Sequence, residues 1–89
     1  MSTQGRWLME LSIAEMEGVT RADGRLIMSD GSCWIGHGSA RCHPQDPDVA
    51  EIGEKIAVAR ALSDLADLLA GSAADELEDM THEHARVRL

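Results

Sequence analysis

The chain has 89 residues with a net charge of −8, and 44 % of its residues are hydrophobic and 27 % charged. That length holds one domain, and the acidic balance argues against a protein that lives on phosphate backbones. No run approaches the roughly 18 apolar residues of a membrane span, and no signal peptide is readable before Glu10, so a cytoplasmic protein is expected.

With two Trp, no Phe and no Tyr, the core must be aliphatic. From Trp7 to Ile13 large apolar residues alternate: Trp7, Met9, Leu11 and Ile13 face one way, Leu8, Glu10 and Ser12 the other. Period two reads as a half-buried strand. Glu15 to Gly18 supplies a turn, and a second strand runs from about Val19 to Met28, with Ala22, Gly24, Leu26 and Met28 on one face. Asp30-Gly31 then predicts a type I′ hairpin turn, because that turn needs φ > 0 at both centres. The third strand, Cys33 to Arg41, carries Trp34, Gly36, Gly38 and Ala40 on one face. Three small residues in a row on a strand face imply a close neighbour.

That neighbour is expected to be a helix. His43 to Pro47 reads as a loop, and Asp48 with Glu51 resembles a capping box. From Ile52 to Ala70 apolar residues recur at steps of three and four. Alanines of this helix, Ala59 among them, are expected against Gly36, Gly38 and Ala40. Glu51 with Lys55 and Arg60 with Asp64 read as opposite-charge pairs on its wet side. Gly71 predicts its end, and Ser72 caps a second, short helix holding Leu77 and Met80. The reading is a single α+β domain over 1–89, ordered β-β-β-α-α, with its core at about 7–82 and loose ends at 1–5 and 83–89. Leu8, Ile27, Cys33 and Ile35 on the second sheet face are too apolar for water alone, and a homodimer explains them economically.

Chemistry-bearing clusters are sparse. Cys33, His37, Cys42 and His43 lack the paired spacing of structural zinc, and His82 with His84 supplies only two ligands. Gly36-His37-Gly38 lacks the third glycine of a dinucleotide loop, and no nucleophile has an orienting partner. No catalytic, cofactor or metal residues are assigned, and the chain reads as a non-enzyme. Residues 42–89 hold four bases against eleven acids, so any basic surface must come from Arg21, Arg25 and Arg41 on the sheet. The bland expectation pairs these arginines with Asp23 and nearby acids.

Glu51-Ile52-Gly53-Glu54 and Val58 to Ala66, with Thr20-Arg21-Ala22, Gly36 to Arg41, Pro44 to Pro47 and Thr81-His82, resemble a small actinobacterial family of unknown function. The resemblance covers roughly residues 7–82. It implies a variant of the double-stranded-RNA-binding-domain fold and a homodimer intertwined through its first strand, which would house Trp7, Met9, Leu11 and Ile13. Some relatives are linked to dormancy and compared in shape with ribosome hibernation factors. The resemblance thus implies a stress factor engaging the ribosome through Arg21, Arg25 and Arg41. The other reading open here is an acidic protein-interaction module with no RNA role. A helix opening with Asp48, Glu51 and Glu54 offers no basic cluster for duplex RNA, and neither duplex DNA nor a membrane is an expected partner.

Overall fold

The computed structural model describes residues 5–41 and 50–81. Three strands, β1 (Leu8–Met16), β2 (Val19–Ile27) and β3 (Cys33–Arg41), form an antiparallel sheet in the order β1-β2-β3, followed by one helix, α1 (Ala50–Thr81). The expected loop at His43–Pro47, the Asp48 cap, Cys42, His82, His84 and the 85–89 tail lie outside the described residues.

The two hairpin turns exchange the roles expected of them. Glu17 and Gly18 both take positive φ, 54° and 77°, directly between the paired residues Met16 and Val19. This is the two-residue I′ signature. At the second hairpin only Gly31 has positive φ, at 89°. The Gly31 amide donates to the Met28 carbonyl at 3.0 Å and the Met28 amide to the Ser32 carbonyl at 2.9 Å, closing a three-residue loop. Such loops end in a left-handed residue that only glycine adopts cheaply. Asp30 serves with its side chain instead: its carboxylate accepts from the Ser32 amide at 2.8 Å and from the Ser32 hydroxyl. These bonds to the charged form, the hydroxyl's first, hold the Asp30 carboxyl below its ordinary value.

Cross-strand register puts Met9, Leu11 and Ile13 on the same face as Ala22, Gly24 and Leu26 and as Trp34, Gly36, Gly38 and Ala40. α1 lies across this face over β3 and β2 and barely touches β1. It docks along Gly53, Ala57, Ala61 and Leu65, all buried and each four residues from the last. A Cβ built on Gly38 would collide with the Ala57 carbonyl oxygen and the Ala61 amide nitrogen, and one on Gly36 with the Ala61 carbonyl oxygen and with Leu65. Backbone therefore lies on backbone, and the core is correspondingly small: Ala22, Ala40, Ala57 and Ala61 with Leu26 and Leu65 beside them. Ala59 is not part of it. Two positions past Ala57 it points away from the sheet and is exposed.

The helix also does not stop at Gly71. It runs on to Thr81, whose hydroxyl donates to the Leu77 carbonyl at 2.7 Å, and Gly71 is not among the positive-φ glycines. One glycine costs a helix about 1 kcal/mol, and the Leu68-Leu69-Ala70 and Ala73-Ala74 flanks offset that. The expected second helix is thus the continuation of the first. Beyond Leu65 none of its described residues is buried.

Candidate functional site

Arg21, Arg25 and Arg41 all lie on the sheet face opposite α1, as their odd positions in β2 and β3 require. Facing them across the strands are Glu10, opposite Arg25, and Asp23, opposite His37. Three arginines thus share this face with two carboxylates.

The expected pairing of arginines with Asp23 does not form. The Asp23 carboxylate takes the His37 ring instead, Oδ1 to Nδ1 at 2.6 Å. Arg25 turns its Nε to Cys33 Sγ at 3.2 Å, and this bond first, with Glu10 adding to it, raises the guanidinium above its ordinary value. Arg21 and Arg41 have no ion pair with another described residue.

The wet-side pairs predicted on α1 are also absent among the described residues. Arg60 and Asp64 reach past each other to the outer edge of β3. Arg60 Nη1 donates to the Ser39 carbonyl at 2.7 Å, and the His37 amide donates to the Asp64 carboxylate at 2.8 Å. Ser39 and His37 are the residues whose backbone groups point away from β2, because the pairs that bond to β2 are Trp34, Gly36, Gly38 and Ala40 with their partners. The i,i+4 spacing on the helix matches the i,i+2 spacing on the strand, about 6 Å against about 7 Å. The helix therefore occupies hydrogen-bonding positions on an edge that would otherwise invite another strand.

At the same edge an open cleft of about 730 Å³ is lined by Arg21, Asp23, His37, Gly38, Ser39 and Arg60. In the sequence alone His37, Arg60 and Asp64 look like ordinary surface. The register that sets Asp23 opposite His37 was the available signal; the reach of Arg60 and Asp64 over the strand edge had none, since it depends on which flank of α1 faces β3.

On the other side of the molecule β1 is open. Its register about the Glu17-Gly18 turn directs the backbone groups of Met9, Leu11, Ile13 and Glu15 away from β2. The side chains of Met9, Leu11 and Ile13 are each 45 % exposed, Trp7 is exposed beside them, and Ile13 joins Glu54, Lys55, Val58, Ala59 and Leu62 around a groove of about 400 Å³. On the opposite sheet face Leu8 and Ile35 are exposed and Ile27 half-buried. Cys33 is exposed, and among the described residues no three His, Cys, Asp or Glu side chains converge as metal ligands. No described helix is long and apolar enough to cross a membrane.

The model of the Rv2632c-like family matches residues 5–86. Uncharacterized protein Mb1767 of Mycobacterium bovis is 42 % identical over 81 residues, covering 91 % of this chain and 85 % of that protein. Uncharacterized protein Rv2632c of Mycobacterium tuberculosis is 41 % identical over 75 residues, covering 84 % of this chain and 80 % of that protein. The crystal structure of Rv2632c superposes with a TM-score of 0.78 at 37 % identity, covering 93 % of this chain and 95 % of that one.

Proposed function

The chain belongs to the Rv2632c-like family, and for this member we propose a non-catalytic homodimeric binding protein that docks on the ribosome through its sheet face. The observation that carries the docking surface is the arginine face: Arg21, Arg25 and Arg41 against Glu10 and Asp23, with Arg21 and Arg41 uncommitted to any described acid. Among the described residues this is a face on which cations prevail, in a molecule that is acidic as a whole. α1 by contrast carries eight acids from Glu51 to Asp79 against Lys55 and Arg60.

The dimer rests on β1. Its uncovered apolar row, its outward backbone groups and the groove beside Ile13 are satisfied together by a second copy of the chain. Joining two copies along this edge makes one continuous sheet and brings six arginines onto one face. It also doubles the net charge, so contact with RNA is short-range and salt-sensitive. In this reading the fold is a dimeric variant of the double-stranded-RNA-binding domain, and a stress or dormancy role is the setting in which it acts.

Co-sedimentation of the full chain with ribosomes of its own host at about 50 and about 200 mM salt tests the reading. We expect association that falls steeply with salt and is lost in R21E/R25E. Association unchanged by that double variant overturns the docking surface. For the dimer, Leu11→Asp is expected to give a monomer at micromolar protein, read by sedimentation equilibrium; a wild-type monomer there refutes it.

A second reading has its own observation. The part of α1 beyond Leu65 carries Asp67, Asp75, Glu76, Glu78 and Asp79 along with exposed Leu68, Leu77 and Met80. An acidic protein-interaction module would use this overhang. Partner capture lost in L77D/M80D and kept in R21E/R25E selects it.

A further inference from the structure

The cleft at the β3 edge narrows the sheet-face reading to a specific seat, which depends on that reading. We infer that Arg21, His37 and Arg60 together hold one phosphodiester group, with His37 binding it in the protonated form.

The placement of donors carries the inference. Arg21 enters the cleft from β2 and Arg60 from α1, so two guanidinium groups flank one opening. Arg60 gives Nη1 to the Ser39 carbonyl, which fixes the side chain and leaves its other donors free to bind. Between them the His37 ring is oriented by Asp23, whose Oδ1 sits 2.6 Å from Nδ1. A carboxylate is acceptor-only, so Nδ1 carries the proton and Nε2 is the atom left for a ligand. On a neutral ring Nε2 is a lone pair that repels phosphate oxygen. On a protonated ring it is an N–H donor, and Asp23 opposite compensates the new charge.

Charge balance decides which anion fits. The groups facing His37 are Asp23, Arg21 and Arg25 from β2 and Asp64 and Arg60 from α1. Arg25 is engaged by Cys33, outside the cleft. Asp64 does not line the cleft either, its carboxylate being taken by the His37 amide, which leaves two arginines against Asp23 and a singly positive site that matches the single charge of a phosphodiester. Protonation of His37 adds one positive charge and turns Nε2 into a donor. Binding of a backbone phosphate to the protonated ring is therefore coupled to uptake of one proton.

The test is fluorescence anisotropy of a labelled eight-nucleotide single-stranded oligouridylate with the full chain, from about pH 5.5 to about pH 8. Binding is expected to weaken about tenfold over this range as one proton is lost. His37→Gln should flatten that profile, leaving only the shallow drift from the other acids. Arg60→Gln should weaken binding at every pH and lower the salt slope by about 0.7, one single-strand phosphate contact. An H37Q profile superimposable on wild type overturns the inference, and so does an oligonucleotide that fails to bind at the acid end. Ribosome association lost in R21E/R25E and untouched in H37Q and R60Q overturns this seat and leaves the sheet-face reading standing.

Discussion

Replacing Gly38 with alanine adds one methyl group where helix and sheet backbones meet. The new Cβ would lie 2.8 Å from Arg60 Cβ and collide with the Ala57 carbonyl oxygen and the Ala61 amide nitrogen. Two of these three obstacles are backbone, which cannot swing aside as a side-chain tip does. To restore an ordinary contact α1 must retreat by on the order of 1 Å. That retreat stretches the Arg60–Ser39 and Asp64–His37 bonds, at 2.7 and 2.8 Å, and loosens the packing around Ala22 and Ala40. Overpacking of this kind costs about 2–3 kcal/mol, a large part of the stability of so small a domain. The expected fall in Tm is roughly 10–20 °C. Gly24→Ala is the matched control, because there a Cβ meets only Leu11 Cδ2 at 3.4 Å. It should change stability by no more than about 0.5 kcal/mol. Both variants are read by urea unfolding followed by circular dichroism. Equal midpoints for G38A and G24A would refute the backbone-on-backbone packing.

Gly71→Ala should raise Tm by roughly 4–8 °C, about 1 kcal/mol, because nothing lies within 4 Å of its Cβ and the helix continues through it; a fall would restore the glycine cap and two helices. The Thr20 side chain is 1 % exposed and its hydroxyl has no partner among the described residues, so Thr20→Val should stabilise by about 1 kcal/mol in the same unfolding assay. Asp30 has a depressed folded pKa, so its contribution is present above the ordinary carboxylate value and lost as pH falls through the folded one. Asp30→Asn should therefore flatten the acid limb of the stability–pH profile below about pH 4, and an unchanged limb would count against the Ser32 bonds. Finally, R60A/D64A uncovers the Ser39 carbonyl and His37 amide, and concentration-dependent association beyond that of wild type should appear by light scattering.

The hairpins show how much of the fold was legible in the sequence. A strand pattern of period two fixes which residues share a face, and that constrains the turns through parity. Even-numbered residues of β2 and β3 are small or apolar, Thr20 to Leu26 and Trp34 to Ala40, so they belong on one face. A two-residue turn at Asp30-Gly31 would pair even with odd residues and put Gly36 on the wrong side of Ala22. The three-residue loop observed was therefore implied by the faces, and the Asp-Gly motif misleads when it is read alone. At the first hairpin odd residues of β1 share a face with even ones of β2, which a two-residue turn at Glu17-Gly18 delivers. The sheet followed by a helix was legible for the same reason. The continuity of α1 was not, since a glycine that ends one helix is tolerated in another and only tertiary context or flanking propensity decides. Among the candidate site residues, the arginine face followed from parity. The Arg60 and Asp64 contacts did not, because a surface charge pair and two edge caps look identical along a sequence.

The one-sided sealing of the sheet has a consequence for how large an assembly can become. A sheet with two open margins is a monomer unit for polymerisation: each arriving strand offers a fresh margin to the next, and growth has no natural end. In the dimer proposed above, a copy that joins along β1 would arrive with its β3 margin already occupied at Ser39 and His37 by its own Arg60 and Asp64. In the proposed dimer the union would consume both β1 margins and leave each β3 margin blocked at His37 and Ser39. If the proposed dimer forms, two charged side chains one helical turn apart would act as its terminator, setting a limit to growth through the β3 edge.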